Sequence, residues 1–152
     1  GRDALTAVER HEVTPALEDV VEATIYLSGL GFENGGLAAA HAVNDGFAQE
    51  PQAHGMYHGE KVAFGTLVQL VLEKAPQEEL EQVLAFLRDT GLPLTLAQLG
   101  VKEIVPETLK KVAEAAVVPT QSTKNLRADI TAQEVYDAIL EADRIGRDYL
   151  AH

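Results

Sequence analysis

The stretch HGEKVAFGTLVQLVLE, residues 58–73, is apolar on nearly every side when it is placed at helical spacing. A helix with so little polar surface must be covered by neighbouring helices, so the stretch predicts the central helix of a bundle. Its apolar run, Val62 to Leu72, is interrupted by glycine and polar residues and is shorter than the roughly 20 apolar residues that a transmembrane helix needs. The sequence therefore predicts a folded helical domain and no membrane partner.

Helical periodicity extends from this segment in both directions, and no stretch has the alternation of a convincing strand. Thr131 and Glu134 form a capping box that predicts the start of the last helix. The glycine-rich segment GLGFENGG (29–36) predicts a connection after a helix that ends at Ser28. The predicted helices cover about 15–28, 36–43, 58–74, 76–90, 106–117 and the residues from 132 onward. Residues 1–152 thus predict a single all-α domain, a multi-helix bundle.

Composition and charge exclude several classes of partner. Lys and Arg number 12 against 24 Asp and Glu, which gives a formal net charge of −12. Nucleic acids and anionic membrane surfaces attract clustered positive charge, so neither is an expected partner. The chain has no cysteine, which excludes disulfides and thiolate zinc sites and suits a reducing cytoplasm. No segment has the pattern of a signal peptide, and a cytoplasmic location is expected.

The glycines at positions 29, 31 and 35 invite comparison with a nucleotide-binding loop. A dinucleotide fingerprint is G-x-G-x-x-G placed between a strand and a helix. Here the third glycine comes one position late, and a helix precedes the pattern instead of a strand. The segment is interpreted as a turn between helices, and no cofactor-binding residue is assigned in this chain.

His41 and His58 are the candidate functional side chains. His41 lies in an alanine-rich helix, where a partly buried imidazole needs a polar partner such as a backbone carbonyl. His58 begins the central helix, and Gly59 after it lets another group come close. Histidines on two helices of a bundle can meet at one zinc ion, which would still need a third protein ligand. The spacing alone leaves the structural and the metal-binding interpretations open.

His54 lies close to His58 in sequence, but it lies in a loop. Without a helix that holds both rings, this spacing does not predict a shared site, and His54 is expected to be an exposed bystander. Glu60 and Lys61, in the first turn of the central helix, are interpreted as a solvated helix end.

Two long segments carry a family resemblance. GFENGGLAAAHAV (31–43) and HGEKVAFGTLVQLVLE (58–73) resemble segments of the glycerol dehydrogenases, within the iron-containing alcohol dehydrogenase superfamily. The resemblance extends to VTPALEDVVEATIYLSGLGFENGG before them and to TGLPLTLAQLGV and QEVYDAILEADRIG after them. It implies the helical C-terminal domain of dehydroquinate-synthase-like and iron-containing alcohol dehydrogenases. The N-terminal nucleotide-binding domain of that family is expected outside these 152 residues.

The resemblance also implies a site. Zinc in that family is held by one aspartate and two histidines; the histidines match His41 and His58, and the aspartate is expected upstream of residue 1. Both histidines would serve catalysis as well as metal binding, with His41 also touching the substrate. The phenylalanine of GFE, which matches Phe32, would line the substrate pocket. NAD would be bound mainly by the N-terminal domain, and a homo-oligomer, an octamer in the family, is expected.

The sequence departs from the family pattern at two places. Many relatives continue HAVHNG or HAIHNG where this chain has HAVNDG, so Asn44 replaces a histidine and Asp45 replaces an asparagine. In a later segment, often ETIHN, Lys124 replaces a histidine and Asn125 is kept. Neither departure touches the assigned ligands, but both change the polar surroundings on which polyol preference depends.

The implied activity is the NAD-linked oxidation of glycerol and related 1,2-diols, with dihydroxyacetone as the product from glycerol and zinc as the Lewis acid. The 152-residue chain alone is expected to be inactive. Another polyol or alcohol dehydrogenase of the same superfamily is the nearest alternative. A non-catalytic helical module that binds a metal or a partner is the alternative from a different class.

Overall fold

The computed structural model describes residues 2–152, and all regular structure in that range is helical. The prediction of an all-α bundle is confirmed. None of the helices in this range is both long enough and apolar enough to cross a membrane. The α-helices are α1 Arg2–Glu9, α2 Pro15–Glu22, α3 Ser28–Gly35, α4 Ala39–Gly46, α5 His58–Glu73, α6 Gln77–Asp89, α7 Pro106–Ala116 and α8 Ala132–Leu150. A π-helical turn covers Ala23–Leu27, and 3-10 turns cover Phe47–Gln49, Pro51–Ala53 and Ser122–Asn125.

The chain divides into two compact units, the first ending at Gly36 and the second running from Leu37 to His152. The first contains α1 to α3, and the second contains α4 to α8. Helix α1 lies in a stretch for which the sequence predicted no element. The expectation that residues 1–152 form one domain stays a prediction.

The helix end predicted at Ser28 and the connection predicted at 29–36 are wrong. Helix α2, the π-helical turn and α3 follow one another without a break. Within this stretch, Thr24 Oγ1 donates to Val20 O at 2.8 Å. A glycine inside a helix costs roughly 0.5–1 kcal/mol relative to alanine, which weakens the helix without ending it. The helix ends only where Gly36 adopts a positive φ of 69°.

The second unit is built around α5, as its apolar stretch predicted. Helix α5 packs against α4 and α8, and α7 packs against the same two helices. Phe64 and Val68 of α5 are fully buried, and the ring of Phe64 meets that of Phe47 edge to face at 6.1 Å between centres. This core fixes the relative positions of α4 and α5, the helices that carry the two candidate histidines.

Two polar contacts fix helix α8 in the second unit. The predicted capping box is confirmed, since Thr131 Oγ1 accepts from Glu134 N at 3.2 Å and a Glu134 carboxylate oxygen accepts from Thr131 N at 2.8 Å. Farther along α8, the buried Asp143 accepts a hydrogen bond from Leu96 N at 2.8 Å. This bond ties α8 to the loop between α6 and α7.

Candidate metal centre

The backbone at the start of α4 is held by three hydrogen bonds from side chains that are distant in sequence. The first N–H groups of a helix lack partners within the helix, and one of these bonds satisfies such a group, while the other two anchor carbonyls of the chain that enters the helix. The helix that carries His41 is therefore fixed between α5 and the 3-10 turn at Ser122–Asn125. Ser122 Oγ donates to Ala38 O at 2.7 Å, Asn125 Nδ2 donates to Leu37 O at 2.7 Å, and Gln69 Oε1 accepts from Ala40 N at 3.0 Å.

The close approach of α4 and α5 depends on Gly65. A Cβ atom added at Gly65 would lie 2.4 Å from Ala40 O, which is closer than real Cβ atoms come to other atoms. Because glycine has no Cβ, it lets the backbone of α5 pass this near to α4. His41 follows Ala40 directly, and His58 lies about two helical turns before Gly65. The contact therefore sets the distance between the two histidines.

The structure brings His41 and His58 together. Their ring centres lie 5.6 Å apart, and the ring planes are inclined by 47°. Two imidazoles that bind one zinc at about 2.0–2.1 Å with a tetrahedral angle have ring centres about 5 Å apart. His41 is half-buried and His58 is exposed. The pair is thus spaced for a shared divalent cation, with one side of the pair open to solvent.

The electrostatics around His41 favour a neutral imidazole at that position. Burial lowers the pKa of His41, and the neighbouring His58 lowers it further, while the negative charge of Asp45 acts in the opposite direction. A neutral imidazole is the form that binds metal ions. Within residues 2–152, neither ring forms a hydrogen bond with another group, so their nitrogens are available as ligands.

The pair does not make a complete site by itself. Among the residues that the structure describes, no group of three or more His, Cys, Asp or Glu side chains is placed to hold a metal ion. Catalytic zinc sites use three protein ligands and keep a further position for water or substrate. The donors present fit two of those three positions, and the upstream aspartate stays a prediction.

His54 does not join the pair, as the sequence predicted. It is exposed, and its Nε2 atom lies 3.0 Å from Ala48 O in the loop that follows α4. A backbone carbonyl therefore satisfies this ring, and the ring is not needed to explain the geometry of His41 and His58.

Replacement of His54 by alanine is expected to leave metal content and activity at the values of the unchanged protein. The lost contact is exposed, so the free energy of unfolding should change by no more than about 0.5 kcal/mol. Elemental analysis of the purified variant, with a thermal melt beside it, checks both points. A variant that loses its metal would show that the site uses three histidines instead of two.

Phe32 lies on α3, in the first unit, with 58% of its surface exposed. An exposed phenylalanine of this size can serve as an apolar wall for a ligand. Its predicted role in substrate binding stays a prediction.

The residues that position His41 were not predicted. The sequence could have indicated Gln69, because a polar side chain within an apolar helix usually has a specific hydrogen-bond partner. That partner is Ala40 N, next to His41. Ser122 and Asn125 lie in a loop, and nothing in their sequence surroundings indicates that they bind the start of α4.

Lys124, which stands where many relatives have a histidine, donates to Pro119 O at 2.9 Å.

Comparison with known proteins supports the likeness noted in the sequence. No family model matches the chain. A glycerol dehydrogenase of Escherichia coli O6:H1 is 56% identical over 150 residues, which are 99% of this chain and 41% of that protein. A glycerol dehydrogenase of Pseudomonas putida is 49% identical over 150 residues, with the same coverage of 99% and 41%. The crystal structure of glycerol dehydrogenase from Schizosaccharomyces pombe matches with a TM-score of 0.91 and 40% identity, covering 97% of this chain and 38% of that one.

These likenesses are to the C-terminal part of larger proteins, and the all-helical fold agrees with that part. Over nearly its whole length, the chain matches the C-terminal part of proteins named glycerol dehydrogenase. It spans 41% of the length of the curated relatives that it matches.

Proposed function

We propose that this chain supplies the metal-binding part of an NAD-dependent glycerol dehydrogenase that oxidises glycerol and related 1,2-diols. The product from glycerol is dihydroxyacetone, with NADH and a proton released. The observation that carries the proposal is the meeting of His41 and His58, from adjacent helices, at 5.6 Å between ring centres in a chain 56% identical to a glycerol dehydrogenase.

His41 and His58 would hold a zinc ion, together with an aspartate that lies outside these 152 residues. When bound, zinc supplies Lewis acidity that lowers the pKa of a substrate hydroxyl. NAD supplies the acceptor for the hydride. Because both imidazoles are neutral donors, they leave most of the positive charge of the ion uncancelled at the substrate position. The fixed start of α4 holds His41 in place, so the site does not need to reorganise when substrate binds.

Phe32 would exclude water from one side of the substrate, and His41 would also contact the substrate. NAD would be bound mainly by an N-terminal nucleotide-binding domain, the expected partner of this chain. Assembly as a homo-oligomer, an octamer in the family, and a cytoplasmic location belong to the same proposal. The net charge of −12 gives no basis for nucleic acid as a partner.

The proposal is tested by the formation of NADH in the complete protein with three substrates: glycerol, 1,2-propanediol and 1-propanol. The two diols are expected to be oxidised much faster than the primary alcohol, because neighbouring hydroxyls can occupy two positions at one metal ion. Treatment with a chelator should abolish the activity, and zinc should restore it. The 152-residue chain alone, without the nucleotide-binding domain and the third ligand, should be inactive.

Each other outcome points to a different function. Equal rates with 1-propanol and glycerol would indicate another alcohol dehydrogenase of the superfamily. Retention of full activity after removal of the metal would contradict the roles given to His41 and His58. Metal binding without any NADH formation would indicate a non-catalytic helical module.

A further inference from the structure

Asn44 has a buried oxygen atom without a partner. It lies on α4 with only 6% of its surface exposed. Among the buried side-chain atoms of residues 2–152, its Oδ1 is the one that accepts no hydrogen bond. Buried polar atoms are nearly always paired, because an unpaired one loses its bonds to water and gains nothing in return. No described residue donates a hydrogen bond to Oδ1 in the present arrangement. The atom therefore indicates that a donor reaches it in another state of the protein.

The orientation of the Asn44 amide follows from its surroundings. Its Nδ2 donates to Asp45 Oδ1 at 3.0 Å, and the other carboxylate oxygen of Asp45 accepts from Gln121 Nε2 at 3.2 Å. An ionised carboxylate only accepts hydrogen bonds, so turning the amide over would place oxygen against oxygen. Asp45 and Gln121 thus keep the nitrogen of Asn44 on their side and leave Oδ1 on the other.

Helical geometry places Asn44 on the same face of α4 as His41. Asn44 follows Ala40 by four residues and His41 by three, so it lies on the face of α4 that they form. Ala40 lies on the side of α4 that packs against α5 at Gly65. Side chains on a helix lean toward its N-terminus, so Asn44 lies over the turn that contains His41.

We propose that Asn44 is a positioning residue, whose Oδ1 accepts a hydrogen bond from the ring nitrogen of His41 that does not bind the metal ion. A metal-bound histidine almost always donates its second N–H to a carboxylate, a carbonyl or water, and this bond fixes the tautomer and the ring orientation. Asn44 offers a carbonyl oxygen that is already oriented by Asp45 and Gln121. The proposal rests on the proposed function, because it requires an ion at His41.

Three variants of the complete protein test this role: Asn44→Leu, Asn44→Ala and Asn44→Gln. The first two remove the acceptor, and the alanine variant does so without adding bulk to the α4–α5 contact. Both are expected to bind zinc about 10–100-fold more weakly, as loss of such an outer partner does in other sites. The glutamine variant keeps both an acceptor and the N–H donor that faces Asp45, and it should recover most of the affinity. Zinc affinity is measured by competition with a chelator, and the unfolding midpoint is measured on zinc-free protein.

The zinc-free midpoint separates positioning from a general structural role. Asn44→Leu should not lower it, since the variant removes an unpaired buried oxygen. Wild-type zinc affinity in both the leucine and the alanine variants would overturn the role of Asn44 and leave the proposed function intact. A glutamine variant as weak as the leucine variant would also overturn it. If the unchanged protein binds no zinc, the proposed function fails, and the role of Asn44 fails with it.

Discussion

Replacement of His41 or His58 by alanine is expected to strip the complete protein of its metal ion and of nearly all its activity. Structural zinc bound by four protein ligands gains about 10–16 kcal/mol, so loss of one ligand removes about 3–4 kcal/mol, or roughly a hundredfold to a thousandfold in affinity. The two variants should lose metal and activity to the same extent, because each ring contributes one nitrogen to the same ion. The expectation follows from the 5.6 Å between the ring centres.

Metal content by elemental analysis and the rate of NADH formation measure this effect together. His54→Ala serves as the matched control, since it also removes an imidazole from the same part of the chain. Full metal content in either His41→Ala or His58→Ala would contradict the shared site. Loss of activity with the metal retained would assign that histidine to the substrate instead of the ion.

The second large effect is expected for Gly65→Ala. The new Cβ would lie 2.4 Å from Ala40 O, and a backbone oxygen cannot turn aside as a side chain can. Helices α4 and α5 must therefore separate, at a cost of about 1–3 kcal/mol in the free energy of unfolding. Separation also moves His41 away from His58, so zinc affinity should fall together with stability. Chemical denaturation and zinc titration give the two measurements.

Gly59→Ala provides the control for stability, because nothing lies within 4 Å of a Cβ at that position on the same helix. Alanine is the better helix former there, so this variant should be as stable as the unchanged protein or more stable by about 0.5–1 kcal/mol. A Gly65→Ala protein that is no less stable than Gly59→Ala would show that α4 and α5 do not depend on this contact.

The parts of the fold that follow from local pattern could be predicted from the sequence. The apolar stretch at 58–73 predicted the central helix because a helix that is apolar on nearly every side must be covered by neighbouring helices. The capping box of Thr131 and Glu134 predicted the start of α8 because both bonds form within one turn. The helix through 29–35 could not be predicted this way. Its glycines lower local helix stability, so the local pattern indicated a turn.

The candidate site was predicted only in part, for a physical reason. The spacing of His41 and His58 along the chain does not reveal their distance, which depends on a contact between Gly65 and Ala40. The family resemblance selected the pair, and the structure then placed the rings together. The residues that orient His41 act through the backbone of 37–40 or through the Asn44 amide. Such contacts join distant parts of the chain and leave little trace in a local pattern.

The most direct measurement is diffraction from crystals of the complete protein, grown with zinc, at wavelengths on either side of the zinc absorption edge. One anomalous peak is expected between α4 and α5, at about 2.0–2.1 Å from a ring nitrogen of His41 and from a ring nitrogen of His58. A peak bound by one of the rings alone, or two rings turned toward backbone carbonyls with no peak between them, would contradict the shared metal site.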